Sequence, residues 1–401
     1  MNNLIRIFLL GLLTAILFSA FIYFEHYSLT NKLINTLFGF FSIALLLYIP
    51  KKSILVAGFF IGLLWFYWIG YSFEYQGVGY MTPIITLAFA VIYLLFFAPL
   101  ALTNKPYIRA ILLFMLSYFE PFDWNWLQIE LLFVESYIGI YKYQLFVLLL
   151  ALALPSLLAK KYKFAPLLLL LFAINYGYKT PREMPLDIKL IQTNIAQEKK
   201  WRKENLAQTL SMIYAHIDTA ISEKRDIILF PESVFPLFLN KHPHLIDKLL
   251  TYSQKITIVA GSLLLENHQH YNVTYMFEKG KYQVAKKLIL VPFGEYIPLP
   301  KFAREYINKT FFSGASDFIT ANKPTDFIIN GIKFRNAICY EATCQEIYEG
   351  DVSYVLASSN NAWFAPSIEP TLQNLLLKYY ARKNGVTIYH SANYKGSGVI
   401  R

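Results

Sequence analysis

Three short segments in the second half of the chain carry apolar runs into residues that can do chemistry. "IILFPES" delivers Glu232 just past Pro231, "YQVAKKLILVPFGEYIP" delivers Lys286, Lys287 and then Glu295, and "NAICYEATC" delivers Cys339. A carboxylate that takes a proton, an ammonium that faces developing negative charge and a thiol that attacks carbonyl carbon are the parts of a covalent acyl-transfer site. Side chains alternate along a strand, so Lys286 and Lys287 face opposite ways and only one of them can enter such a site.

The cysteines of the chain, Cys339 and Cys344, both fall in the third segment. A disulfide is the competing reading in an oxidising compartment. With Cys339 ending a strand and Cys344 in the helix-forming run "YEATCQEIYE", five residues turn the side chains roughly 140° apart. A bond needs Cα atoms within about 7 Å and converging Cβ vectors, so both thiols are expected to be free. Cys344 then reads as a small apolar residue under the helix. Cys339 lies where the first free backbone N–H groups of a helix could stabilise a thiolate or cradle an oxyanion. The His242/His244 and His268/His270 pairs lack the neighbouring ligands of a metal site and read as surface loops.

These residues need a scaffold of alternating strands and helices. After the Pro-broken "YKTPREMP", strands are expected at 187–195, 226–230, 256–264, around 271–285, at 326–330, 332–338, 352–358 and 386–392. Helices are expected at 200–223, 243–254 and 368–384. That order predicts a layered α/β domain with helices covering sheets.

Composition places the rest of the chain in lipid. Of 401 residues 56% are hydrophobic and 16% charged, where about a quarter charged is usual for soluble domains. Residues 1–178 hold 10 Lys/Arg and 6 Asp/Glu, whereas 179–401 hold 27 and 20. We therefore expect a membrane domain over 1–178 and a catalytic domain over 179–401. Crossing a bilayer takes roughly 20 apolar residues, and seven stretches come close: 4–24, 33–49, 53–73, 82–102, 107–120, 141–159 and 164–178. Arg6, Lys51, Lys52, Lys105, Arg109, Lys160, Lys161 and Lys163 make alternate connections basic, which sets those on the cytoplasmic side and residues 179 onward outside the cytoplasm. Trp124 and Trp126, in the acidic aromatic connection 119–139, fit a membrane interface. The net charge of +11 is scattered, without the basic block and interleaved aromatics that track a nucleic acid, and suits an anionic lipid surface better.

"FPES", "KLILVPFGEYIP", "NAICYE" and "SNNAWF", in this order behind a multi-span half, resemble the bacterial apolipoprotein N-acyltransferases, membrane-embedded members of the nitrilase (carbon–nitrogen hydrolase) superfamily. The resemblance covers essentially the whole chain and implies a nitrilase-like αββα sandwich for 179–401. By position it makes Cys339 the nucleophile, Glu232 the general base and Lys287 the catalytic lysine. Glu295 and Glu341 become supporting acids, and Tyr340 supplies a backbone N–H. Asn361, Trp363, Phe293 and Tyr296 become substrate-binding residues.

What the resemblance implies further is a ping-pong transfer without metal or cofactor. A phospholipid such as phosphatidylethanolamine is the acyl donor, Cys339 carries the acyl group as a thioester, and the α-amine of a lipoprotein's N-terminal diacylglyceryl-cysteine is the acceptor. The location implied is the bacterial inner membrane, with the catalytic domain on the periplasmic side. "YINKTFFSGASDF" (306–318) reads equally as a mobile apolar lid or as a packed cluster. Departures from the family pattern are Ile289 for His, Asn361 for Asp and Ala365 for Gly, and the chain stops at "GSGVIR" where relatives continue, so it is either a short lineage or cut short. Two other functions compete: a membrane-anchored amidase acting on a small amide, and a noncatalytic scaffold.

Overall fold

The computed structural model describes residues 3–292, 294–296 and 318–401. They form two compact units, Met1–Tyr178 and Lys179–Arg401.

The first unit is built of apolar helices: α1 (Asn3–His26), α2 (Lys32–Tyr48), α3 (Lys51–Phe66), α4 (Thr82–Phe97), α5 (Pro106–Leu116), α6 (Lys142–Ala153) and a single turn, α7 (Leu170–Ala173). Among the described residues three helical stretches are long and apolar enough to cross a membrane: Asn3–His26, Lys51–Tyr75 and Gly79–Leu102. The others are shorter than the sequence suggested. Helix α6 gives way at Ala153 to a 3₁₀ turn containing Pro155, since proline removes a helix donor and crowds the preceding turn. The stretch 164–178 holds only the 3₁₀ turn Ala165–Leu169 and α7. Seven full-length crossings are therefore not present as seven long helices.

Two further expectations change in this unit. Trp124 and Trp126 are buried rather than interfacial, their rings 5.2 Å apart, with Trp126 5.3 Å from Trp68. An aromatic core of this kind buries large areas while its ring edges and faces remain complementary. Arg109 is a buried residue of α5, not a loop charge. Its guanidinium donates to the carbonyls of Leu47, Ile49, Leu100 and Thr103 at 2.6–3.0 Å, satisfying chain ends that no helical N–H can reach. Helices α3 and α4 meet closely: a Cβ on Gly62 would stand 2.7 Å from the Phe89 carbonyl oxygen.

The second unit is a two-sheet sandwich. Its strands are β1 (Ile188–Leu190), β2 (Ile227–Leu229), β3 (Thr257–Glu266), β4 (Gln269–Glu278), β5 (Lys281–Lys286), β6 (Asp326–Ile329), β7 (Ile332–Ile338), β8 (Tyr354–Asn360), β9 (Thr387–Asn393) and β10 (Gly398–Ile400). Its helices are α8 (Gln197–Lys200), α9 (Leu206–Ser222), α10 (Pro243–Tyr252) and α11 (Glu369–Asn384). One sheet runs β1-β2-β3-β4-β5 and the other β10-β9-β8-β7-β6. In each the three strands joined by helices or long connections pair in parallel, β1-β2-β3 and β7-β8-β9.

Strand alternation sorts the layers. Ile227 and Leu229 face Phe327, Phe334, Leu356 and Tyr389 between the sheets, while Ile228 and Phe230 turn outward onto α9 and α10. Helix α9 answers with Ile213, Ile217 and Ala220, spaced by four and three residues on one buried stripe. It starts later than expected, after α8 and a 3₁₀ turn at Lys203–Asn205. The second unit is thus an αββα sandwich, and the first is an apolar helical unit.

Leu356, 1% exposed between the sheets, sets a stability test. Leu356→Ala is expected to cost about 2–5 kcal/mol through lost burial and a residual cavity. Ile328→Ala, at a side chain 49% exposed, serves as the control. Thermal unfolding should show a lowered midpoint for the first and little change for the second.

Candidate active site

The first sheet delivers the carboxylate. Beyond β2 the chain passes through Phe230 and Pro231 to Glu232, and Ser233 takes a left-handed φ of +48° that turns it sharply. β3 makes room through Gly261, where a Cβ would lie 2.7 Å from the Glu232 Cα. Any larger residue would push the turn outward. Glu232 is 7% exposed, and its Oε1 accepts from Asn272 Nδ2 of β4 at 2.7 Å.

The ammonium follows β5. Lys287 N–H donates to the Asn272 carbonyl at 2.9 Å, which aims the side chain inward. Its Nζ lies 2.7 Å from Glu295 Oε2 and 3.7 Å from Glu232 Oε1. Burial pulls the ammonium's pKa down, but Glu295 and then Glu232 outweigh it and hold Lys287 above the usual lysine range. Glu295 is fixed in turn by Asn272 Nδ2 at 3.2 Å and Val291 N–H at 2.9 Å. Lys286 goes the other way, pairing with Glu266 at 2.5 Å over the Tyr271 ring.

The second sheet delivers the thiol. Cys339 directly follows β7 with a left-handed φ of +55° and opens a five-residue 3₁₀ turn, Cys339–Thr343. The expected helix after it is replaced by this turn and a second one, Gln345–Tyr348. Glu341 accounts for the difference: its carboxylate folds back to accept from Ile338 N–H at 2.6 Å, and from Leu288 and Ile289 N–H at 2.7 and 3.2 Å. One side chain therefore ties the cysteine turn to the segment carrying Lys287. Burial pushes the Glu341 carboxyl up to about 7, against the pull of Lys287 and these three donors.

The thiol itself is not poised as a thiolate. Burial, and next the charge of Glu232, raise the Cys339 pKa well above its ordinary value, and Lys287 only partly offsets them. Among the carboxylates acting on it, Glu232 acts most strongly. Both cysteines are free; Cys344 is buried, its Sγ 3.5 Å from the Tyr340 carbonyl.

The remaining candidates divide. Tyr340 is buried, and its carbonyl accepts from the Thr343 hydroxyl at 2.7 Å. Asn361 donates to Gln373 of α11 and to the Lys395 carbonyl, at 3.0 and 2.9 Å, so its amide ties elements together. Trp363 is half-buried in the 3₁₀ turn Asn361–Phe364, and Tyr296 is half-buried where it bridges Pro292. Phe293 lies outside the described residues, as does the 306–318 segment apart from Phe318.

Three residues here escaped the sequence reading. Asn272 donates to both Glu232 and Glu295; its one signal was a polar residue on the same strand face as Thr274, among apolar neighbours. Glu369, the first residue of α11, is 1% exposed, and burial followed by Glu232 raises its carboxyl well above the usual range. Lys200 is 3% exposed and donates to the Glu232 carbonyl at 2.9 Å. Neither sits in a recognisable motif.

Together these groups suit nucleophilic attack by a thiol on an acyl carbon, with an adjacent base and a cation for the oxyanion. Residues 5–176 match the family described as apolipoprotein N-acyltransferase integral membrane domain, and residues 188–395 match carbon-nitrogen hydrolase. An apolipoprotein N-acyltransferase of Wolinella succinogenes is 42% identical, over 98% of this chain and 95% of its own. Those of Helicobacter pylori and Campylobacter jejuni are 37% and 36% identical, over 88% and 96% of this chain and 84% and 88% of theirs. A solved amidase from Nesterenkonia sp. is 15% identical, over 55% of this chain and 81% of that one, with a TM-score of 0.40.

The close approach at Gly261 sets a test of the site's geometry. Gly261→Ala should displace the Glu232 turn and slow alkylation of Cys339 by iodoacetamide at least about tenfold, equivalent to 1.4 kcal/mol in the barrier. An unchanged rate would mean that the turn absorbs the added methyl group.

Proposed function

The chain belongs to the apolipoprotein N-acyltransferase family, and from that premise we propose that Cys339, Glu232 and Lys287 carry both halves of the acyl transfer at one site. The protein is an N-acyltransferase of the carbon-nitrogen hydrolase superfamily and an integral membrane protein. The observation that carries the assignment is the bonded chain Glu232–Asn272–Glu295–Lys287, whose charges act on Cys339.

In the first half, Glu232 takes the thiol proton as the sulfur attacks an ester carbonyl of a phospholipid. The tetrahedral oxyanion is held by the Lys287 ammonium and the Tyr340 N–H. As the carbon–oxygen bond breaks, Glu232 gives its proton to the leaving glycerol oxygen, and a lysophospholipid departs. In the second half, the α-amine of a diacylglyceryl-cysteine attacks the thioester carbon. Glu232 takes a proton from that nitrogen and returns it to the departing sulfur, leaving an amide and the original thiol. General acid–base transfer of this kind contributes about 10²–10⁴-fold.

The raised thiol pKa supports this order of events, because the nucleophile is generated only where the base stands. Glu295 keeps Lys287 charged, and Glu341 keeps the cysteine turn in place. Phe293, Tyr296, Asn361 and Trp363 are the side chains proposed to receive the substrates. Placement in the inner membrane with the catalytic unit on the periplasmic side is our reading of the basic connections, where Lys51, Lys52, Lys160, Lys161 and Lys163 collect.

Incubation with phospholipid labelled in its acyl chain should give a hydroxylamine-labile adduct. Cys339→Ala should give none, and Glu232→Gln should form it at least about 10²-fold more slowly. An adduct that persists in Cys339→Ala overturns the assignment. For sidedness, protease added to spheroplasts should cleave within residues 179–401, and cleavage there only after lysis would reverse the orientation.

A further inference from the structure

We propose that Lys200 is a positioning residue of this reaction: its ammonium clamps the Glu232 turn and provides the second positive charge that lets the site hold two carboxylates beside the thiol. The inference rests on the reading of Glu232 and Cys339 given above.

Lys200 closes α8, and its Nζ donates to the Glu232 main-chain carbonyl at 2.9 Å. The clamp acts on the residue that precedes the left-handed Ser233, where the backbone has the least intrinsic reason to stay in place. A lysine 3% exposed must be balanced by nearby charge. Among the described residues, however, no carboxylate lies within ion-pair distance of it. The side-chain amide of Asn360, at the end of β8, lies 3.2 Å from Nζ. Gln197, on its own helix, is bonded to that same amide. The titratable groups acting on it are the Glu232 carboxylate after β2 and the Cys339 thiol after β7.

Charge accounting explains why a cation belongs there. Glu232 and Glu295 carry two negative charges, and Lys287 supplies one positive. Burial, and next Glu232, push the Glu369 carboxyl well above its usual range, and burial brings Glu341 to about 7 against the pull of Lys287 and three donors. Lys200 brings the group of four close to neutral at rest. Without it, an extra negative charge would face the thiol and hold its proton more tightly. The charge is also fragile. Burial lowers Lys200 to about 8, opposed by Glu232 and Cys339, so the ammonium is present below that pH and is lost as pH rises through it.

The test uses the full-length chain in detergent with K200R, K200Q and C339A. Two rates are followed against pH: Cys339 alkylation by iodoacetamide, and adduct formation with acyl-labelled phospholipid. The wild type should lose acylation rate above about pH 8, and K200R should not show that loss, because guanidinium stays protonated. K200Q keeps polarity without charge. It should acylate about tenfold more slowly at pH 7, with its alkylation profile moved up by about one unit, the equivalent shift. Wild-type alkylation and acylation profiles in K200Q overturn the proposal, and K200Q alone decides if K200R unfolds at a lower temperature. An adduct on C339A instead overturns the reading of Cys339 and leaves the alkylation comparison standing.

Discussion

A lysine ammonium almost entirely removed from water is the constraint around which this site is organised. Lys287 is 1% exposed, and an ion so placed is tolerated only when opposite charge and hydrogen bonds replace the lost solvent. Glu295 at 2.7 Å is the main replacement, and Glu232 at 3.7 Å is a weaker one. Asn272 then donates to both carboxylates, which stops either from rotating away. Glu232 is thus held 3.7 Å from the ammonium while its charge acts on the Cys339 thiol.

That cluster draws on both sheets of the sandwich. Glu232 and Lys287 leave the first sheet, and Cys339 leaves the second. Alternation on β2 sends Ile227 and Leu229 between the sheets, so the strand end that carries Glu232 is anchored by apolar packing rather than by its polar neighbours. Glu341 crosses from the cysteine turn to the Leu288 and Ile289 N–H groups, coupling the two halves with three hydrogen bonds. Such bonds to a charged acceptor are stronger than neutral ones, and a buried partner left unmade is costly.

Under the proposed function the helical unit would serve the same chemistry through confinement. Both proposed substrates are lipids or lipid-anchored, so a tethered site replaces encounter from bulk water with a short search within the bilayer. Its own order comes from packing and from satisfied chain ends, with the Trp68, Trp124 and Trp126 cluster at the centre and Arg109 binding the carbonyls where α2 and the turn after α4 stop. Membrane helices gain little from apolar contact alone, since lipid is equally apolar, so close packing and internal hydrogen bonds decide how they assemble.

Much of this was open to reading along the chain, because it depends on local order. Apolar runs ending in Glu232, Lys287 and Cys339 marked these three as candidates, and strand alternation separated Lys287 from Lys286 with no structure in hand. Residue types far apart in sequence carried no such signal. Asn272, Lys200 and Glu369 matter through neighbours brought to them by folding, and nothing adjacent to them marks it. The run after Cys339 favoured a helix by composition, yet the Glu341 carboxylate captured the Ile338 N–H and a 3₁₀ turn resulted. The same holds for the thiol's acidity, which local sequence suggested would be lowered and burial raises. Sequence by itself determined which chemical groups and which secondary structures were available. Tertiary structure alone decided their charge states and partners, because desolvation and Coulomb energies depend on distances across the fold rather than on order along the chain.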